Sequence, residues 1–411
     1  MFYVNDEYYS QEMIEAYENQ FSAHPILKRC EQLRIAVCPD HTGMWIAFVL
    51  YVKRKGGSVL PLHAHMPQSQ AVNMAEQAGC DYLFYQTFHE AIPCVRNQHG
   101  QVGTLIQFSS GTTGAPKMIE RSWASIDEEL LHYTNRLAGE PWDVTVVACP
   151  TTHSYGLISG VLAALKSASM LVIIVNTNPK YLLKKLRSLS SYLLYAGPTL
   201  LYTLARFQQN HEQLEAVMTS GASLPPSWLQ LLQARATRVL QQYGCSEVGC
   251  ISLHAHVETA EVVGRPLSHV HVTSGTVAQP EEIVVRINEH LVHTRDIGYI
   301  NHKGEICFCE RKDDVINVAG LLVYPGEVEN VLRTHPDVDD VIVFKKQDPH
   351  AGERVCACFT AKKQVQKDTL VSFCQRHLTS YQVPSTFIQV PRIERGQNGK
   401  VNRKQWAEVY Q

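Results

Sequence analysis

Residues 104–117 read TLIQFSSGTTGAPK. The stretch opens as a strand pattern, Thr104–Phe108, and then changes character. Two glycines and a run of small hydroxyl residues follow, closed by a lysine. Glycines let a backbone approach an anion closely. Successive N–H groups, the Ser and Thr hydroxyls and Lys117 could then all donate to phosphate oxygens. The loop is not a Walker A loop, because Ala115 and Pro116 separate the second glycine from the lysine. Taken alone, such a run is as often a plain flexible loop.

The surroundings set its context. Apolar runs predict strands at Leu33–Cys38, Val144–Cys149, Met170–Val175, Tyr192–Ala196, Leu214–Thr219 and Arg238–Tyr243. Between them, helical patterns lie at Gln68–Ala78, Ala124–Leu137, Pro179–Ser188, Thr199–Gln208 and Pro226–Arg235. Buried, continuous apolar strands alternating with helices predict a parallel α/β sheet. After about residue 260 the pattern changes. Glu281–Ile287, Leu291–Thr294 and Glu305–Arg311 read as a small antiparallel meander. A charged break, Glu310–Ile316, precedes a small α+β region with strands Val338–Lys345 and Arg354–Ala361 and a helix Lys367–Leu378.

The chain has 411 residues, 45% hydrophobic and 18% charged, which excludes a disordered or fibrous protein. Its 37 Lys+Arg against 39 Asp+Glu favour neither nucleic acid nor a membrane surface as partner. The N-terminus is polar and acidic, unlike a secretory signal, and runs such as Met170–Val175 are too short to span a bilayer. A soluble, cytoplasmic protein is expected. The pairs Cys307/Cys309 and Cys356/Cys358 lack zinc-site spacing, so reduced core thiols are expected.

FSSGTTGAPK resembles the phosphate loop of the adenylate-forming superfamily, which includes acyl- and aryl-CoA synthetases, luciferases and nonribosomal adenylation domains. Four further motifs follow in the order of that family. Tyr243–Glu247, YGCSE, is similar to Y-G-x-T-E. Thr294–Gly298, TRDIG, is similar to T-G-D-x-G, with Arg295 in place of glycine. Arg311–Gly320, RKDDVINVAG, resembles the hinge motif, with Glu310 and Asn317 replacing a glycine and a lysine. Asn398–Arg403, NGKVNR, resembles the C-terminal G-K-x-x-R. One departure is that the phosphate loop comes earlier in the chain than is usual, as if an N-terminal portion were shortened.

The resemblance implies an α/β fold: a large N-terminal domain, 1–312, of mixed and parallel sheets with helices and a small antiparallel β region, and a small mobile α+β lid, 313–411. It implies two half-reactions. A carboxylate attacks the α-phosphate of ATP, giving an acyl-adenylate and pyrophosphate; a thiol then attacks the adenylate. Ser109, Ser110, Gly111, Thr112, Thr113, Gly114 and Lys117 would hold the phosphates. Glu247 would ligate Mg²⁺, and Ser246 would keep a hydroxyl for phosphate. Asp296 would accept the ribose hydroxyls, with Arg311 approaching ribose or phosphate. Gly221, Ala222, Ser223 and Tyr243 would frame the adenine, with Gln242 and Gly244 also among the ATP/AMP-binding residues. Lys400 would enter from the lid and bridge carboxylate and α-phosphate, Asp313 would be the hinge, and Gly320 would leave room for a pantetheine arm.

Pro150–Leu157, PTTHSYGL, is the acid-side motif. His153 would lie beside the carboxylate, and Ser154, Tyr155, Gly221 and Cys245 would line the acid pocket. Related ligases that activate dihydroxybenzoates place an Asn where Ser154 stands, so a ring hydroxyl read by Ser154 is expected. A hydroxylated aryl acid is implied, 3,4-dihydroxybenzoate favoured, as in siderophore assembly of the petrobactin type, with an aryl carrier protein's phosphopantetheine as thiol. The alternatives are an acyl- or aryl-CoA synthetase using free coenzyme A, and a non-catalytic nucleotide-binding regulator. The basic tail Arg392, Arg395, Lys400, Arg403 and Lys404 would suit an acidic carrier helix or coenzyme A phosphates.

Overall fold

The computed structural model describes residues 1–95, 103–109, 117–140, 142–209, 212–348, 352–395 and 401–410. Its elements stack in layers. A six-stranded sheet has the order 91–93, 82–86, 34–39, 58–61, 104–109, 117–122; its inner strands run parallel and both outer pairs are antiparallel. A thirteen-stranded sheet has a parallel half built from Phe2–Val4, Met170–Ile173, Val144–Val147, Tyr192–Tyr195, Leu214–Thr219 and Ala236–Cys245. From Ala236–Cys245 outward it turns antiparallel, through Gly249–His254, Val262–Pro266, Ile306–Arg311, His290–Ile300, Glu281–Ile287 and His271–Thr273.

Alternation along each strand feeds the two faces. Val147 joins the core between the two sheets, while Val144 and Val146 join the core on the far face. The inter-sheet core also takes residues of helices Gln11–Ala23, Thr42–Lys55 and Trp123–Arg136 and the wide helical turn Tyr155–Leu162. Helices Pro179–Arg187, Pro198–Phe207 and Pro226–Arg235 cover the far face. Each of the three carries a proline in its first turn, where a missing N–H costs nothing. Helix Thr42–Lys55 is buried on nearly every side: Trp45, Ile46, Phe48, Val49, Tyr51 and Val52 are all core residues.

A third sheet holds Leu321–Val323, Ile316–Val318, Gly352–Thr360, Asp340–Asp348 and, parallel to Gly352–Thr360, Thr386–Gln389. The predicted charged break is not all linker. Glu310 ends up buried and accepts the Gly326 N–H at 2.8 Å, and Ile316 is fully buried. The basic tail is also not a free patch. Arg395 reaches Asp340 at 2.6 Å, Arg392 reaches Glu394 at 2.6 Å, and Arg403 binds Glu329 at 2.8 Å and Asp314 at 3.3 Å. All twelve cysteines are free thiols.

Candidate active site

Three motifs meet where the large sheet changes from parallel to antiparallel. Strand Ala236–Cys245 ends in a turn that folds straight back into Gly249–His254. A Cβ on Gly244 would lie 2.2 Å from the Gly249 carbonyl oxygen, so glycine is what lets the turn close. That turn presents Ser246 and Glu247. Across the strand pair, Asp296 sits directly opposite Arg311.

Their side chains form one line. The Tyr243 hydroxyl donates to Asp296 Oδ2 at 2.7 Å, and Arg311 Nε lies 3.1 Å from Asp296 Oδ1. Asp296 is 5% exposed, so its charge is held by these two neighbours. Burial, and then the Asp296 carboxylate, push the Tyr243 phenol well above its ordinary range, so it remains a proton donor. A carboxylate fixed in this way has the lone pairs to accept paired hydroxyls.

Lys117, at the start of strand Lys117–Ser122, lies 3.2 Å from Glu247. The expected phosphate and metal residues are thus adjacent. Two residues that the sequence reading missed brace them. Arg121, on the same strand, pairs with Glu129 at 2.7 Å, and both are almost fully buried. Glu129 also accepts the Cys250 N–H at 2.8 Å. The pair therefore ties the strand after the phosphate loop to the strand after the Glu247 turn. A signal existed: Glu129 falls on the apolar face of its helix, between Ile126, Leu130 and Tyr133.

The acid-side motif follows strand Val144–Val147. The Trp45 indole donates to the Thr151 carbonyl at 3.2 Å and pins this loop. A wide helical turn starts at Tyr155, a geometry frequent at functional sites. A Cβ on Gly156 would lie 2.3 Å from the Pro150 carbonyl oxygen, so only glycine lets the turn press on the loop. His153 is exposed; its carbonyl accepts the Leu157 N–H at 2.8 Å. The Tyr155 hydroxyl donates to the Met218 carbonyl at 2.6 Å, which joins the acid-side loop to the end of strand Leu214–Thr219. Gly221, Ala222 and Ser223 follow that strand end, with Gly221 at φ 89°.

Two of the expected site residues have partners within the protein. The Ser154 hydroxyl, expected to read a ring, donates its proton to Gln107 Oε1. The Gln242 amide, expected at the nucleotide, is buried: it accepts from Tyr133 at 2.8 Å and donates to Ser159 at 3.0 Å. Burial, then Glu247, pushes the Cys245 thiol up to about 12, so it is a neutral wall group. Asp313 pairs with Arg295, and Gly320, at φ 92°, closes the hairpin between Ile316–Val318 and Leu321–Val323. Ser110, Gly111, Thr112, Thr113, Gly114 and Lys400 lie outside the described residues, as does the side chain of Ser109.

The chain matches the family model "AMP-binding enzyme" over residues 93–308 and "AMP-binding enzyme C-terminal domain" over 327–400. It is 36% identical over 410 residues to a 3,4-dihydroxybenzoate–[aryl-carrier protein] ligase of Bacillus anthracis, covering 98% of each protein. It is 27% identical to a 2-succinylbenzoate–CoA ligase of Bacillus licheniformis, over 75% of this chain and 70% of that protein. Among solved structures, ATP-bound MatB from Rhodopseudomonas palustris superposes with a TM-score of 0.85 at 16% identity, covering 100% of this chain and 96% of the other. The o-succinylbenzoate CoA synthetase of Bacillus subtilis with ATP and magnesium does so with a TM-score of 0.83 at 20% identity, covering 98% and 95%. With the nucleotide motifs brought together on this fold, and a relative matched along the whole chain, the protein belongs to the adenylate-forming family of AMP-binding enzymes.

Proposed function

We propose that the protein is an aryl-acid–AMP ligase that activates a dihydroxybenzoate, 3,4-dihydroxybenzoate favoured, and loads it on an aryl carrier protein for siderophore assembly of the petrobactin type. The observation that carries the adenylation reading is the Tyr243–Asp296–Arg311 line beside the Lys117–Glu247 pair. The whole-length relative supports the acid and the acceptor.

In the first half-reaction a carboxylate oxygen forms a bond to the α-phosphorus of ATP, and the bond to pyrophosphate breaks. Two anions meet, so the residues supply positive charge and fixed positions. Asp296 would accept the ribose hydroxyls, and Arg311, leaving Asp296, would turn to the nucleotide. Lys117 and residues 109–114 would hold the phosphates. The carboxylate of Glu247 suits a hard cation, and Mg²⁺ bound there would neutralise phosphate charge. His153 would lie beside the acid carboxylate, with Tyr155, Gly221 and Cys245 around it. Lys400 would join from residues 313–411 as these swing about Asp313. In the second half-reaction the pantetheine sulfur, reaching in past Gly320, bonds to the acyl carbon and AMP leaves.

A free-coenzyme A acceptor is the second reading, supported by the 2-succinylbenzoate–CoA ligase relative. A non-catalytic regulator has less support, because Lys117, Glu247, Asp296 and Arg311 are all in place. Twelve free thiols support a reducing, cytoplasmic setting. The test is acid-dependent exchange of labelled pyrophosphate into ATP across benzoates and fatty acids, followed by acyl transfer to a carrier protein or to coenzyme A. Exchange with a fatty acid and with no benzoate removes the aryl reading. Transfer to coenzyme A alone removes the carrier.

A further inference from the structure

Gln107 sits on the strand that leads into residues 110–116. Its neighbours Ile106 and Phe108 pack into the core on the outer face of the six-stranded sheet, and Leu105 packs into the inter-sheet core. Alternation therefore places Gln107 on the inner side, facing the acid-side loop. There the Ser154 hydroxyl donates to its Oε1. The two residues are 47 positions apart in sequence: Gln107 is on a strand of the six-stranded sheet, and Ser154 is in the loop that precedes the wide turn Tyr155–Leu162.

A primary amide in an otherwise apolar strand has to be satisfied, since an unmet buried donor costs about 1–3 kcal/mol. Gln107 is 9% exposed. Its Oε1 is met by Ser154, while its Nε2 is bonded to no described group and is not among the fully buried unpaired atoms, so it keeps some exposure. Ser154 has given up its single proton, so toward a ligand its oxygen can only accept. Other polar groups on this wall are engaged with one another: Tyr155 with the Met218 carbonyl, Tyr133 with Gln242, and Gln242 with Ser159.

We propose that Gln107 is the residue that reads the ring hydroxyls of the acid, and that Ser154 is a positioning residue that fixes its amide. With the Ser154 hydroxyl on Oε1, the amide's Nε2 is the group left to meet the acid. The pair then offers an N–H donor next to an Oγ acceptor. Two vicinal ring hydroxyls match that order, one accepting from Nε2 and its neighbour donating to Oγ. The inference rests on the aryl-acid reading above and narrows it to a catechol-type acid.

The experiment measures kcat and KM for pyrophosphate release with benzoate, 4-hydroxybenzoate, 2,3-dihydroxybenzoate and 3,4-dihydroxybenzoate. Gln107→Met keeps the volume and removes the donor. It is expected to lower kcat/KM for the preferred dihydroxybenzoate about 5–150-fold, mainly through KM, and to leave benzoate within about threefold. Ser154→Ala should give a smaller loss on the same acids, Ser154→Thr should restore it, and the double variant should be no worse than Gln107→Met. Benzoate falling as far as the dihydroxybenzoate, or additive losses in the double variant, would overturn this inference and leave the aryl-acid reading standing. A wild type that releases pyrophosphate with no benzoate overturns both. Should Gln107→Met fold poorly, the Ser154→Ala and Ser154→Thr pair decides by the same ratio of dihydroxybenzoate to benzoate.

Discussion

The guanidinium of Arg295 is ion-paired with the carboxylate of Asp313. Arg295 holds φ at 61°, in the left-handed region. A side chain there costs about 1–2 kcal/mol, which glycine, the residue of the T-G-D-x-G motif that this stretch resembles, would not bear. The segment is also stitched by backbone and charge. Lys312 N–H donates to the Arg295 carbonyl at 2.8 Å, and Glu282 takes both the Arg295 N–H at 3.0 Å and Lys312 Nζ at 3.2 Å.

Arg295→Gly relaxes the backbone and removes a half-exposed ion pair worth about 0.2–1 kcal/mol. Global stability should therefore shift by no more than about 1 kcal/mol. If Asp313 is the hinge as proposed, the ratio of the two half-reactions should change, because its ion pair is released. Asp313→Pro should also unbalance them, since proline fixes φ at about −65°. Thermal unfolding and single-turnover rates of each half-reaction check both. An unchanged ratio in both variants means that the chain does not pivot at Asp313.

Lys400→Ala should lower adenylate formation about 10²–10³-fold and leave thioester formation from preformed adenylate near the wild-type rate. In the proposed mechanism its charge is needed only where phosphoryl charge develops. Equal losses in the two steps, measured with synthetic acyl-adenylate for the second, would remove the alternating-pose account.

The Arg121–Glu129 pair has no water to fall back on. Arg121→Met leaves the Glu129 carboxylate buried beside an apolar chain, and should cost about 3–5 kcal/mol. Combining it with Glu129→Leu should recover much of that loss, since an apolar pair has no charge to strand. Urea unfolding of the two variants gives the comparison. A loss below about 1 kcal/mol in Arg121→Met would show that the strand and helix are held otherwise.

His269 stacks on His132 with ring centres 4.5 Å apart. Burial, and next the His132 charge, lower its pKa to about 4, with Arg121 acting the same way and Glu128 opposing. His271 and Arg286 line the same cavity. Because the folded value is depressed below the ordinary 6.5, the neutral ring's contribution to stability is present above pH 6.5. It is lost as pH falls toward 4, where the unfolded chain binds a proton that the fold does not. His269→Phe keeps an aromatic ring and should flatten the stability profile between pH 6.5 and 4. An unaltered slope would assign the acid sensitivity to other groups.

Much of this architecture was legible because the parallel strands are short, continuous and apolar. Leu214–Thr219 and Pro226–Arg235 have the bounds that the pattern suggests. Helix Thr42–Lys55 was not legible, since a helix buried all round shows no 3.6-residue stripe. Nor was the wide turn Tyr155–Leu162, whose apolar run reads equally as strand or helix. Motif order brought Tyr243, Asp296 and Arg311 together in advance. The contacts of Ser154 with Gln107 and of Arg295 with Asp313 link separate elements, and no local pattern encodes such partners.

Gln107 and Ser109 are two positions apart on a single strand, the one gripped by the acid-side loop, the other leading into the nucleotide segment. If Gln107 reads the acid as proposed, one strand would carry both contacts, and substrate choice and ATP affinity are expected to be coupled. An acid that tightens the amide's hold would raise affinity for nucleotide, and nucleotide would raise affinity for that acid by the same factor. A poorly matched acid would then reveal itself twice, in its own weak binding and in a higher ATP concentration needed to use it.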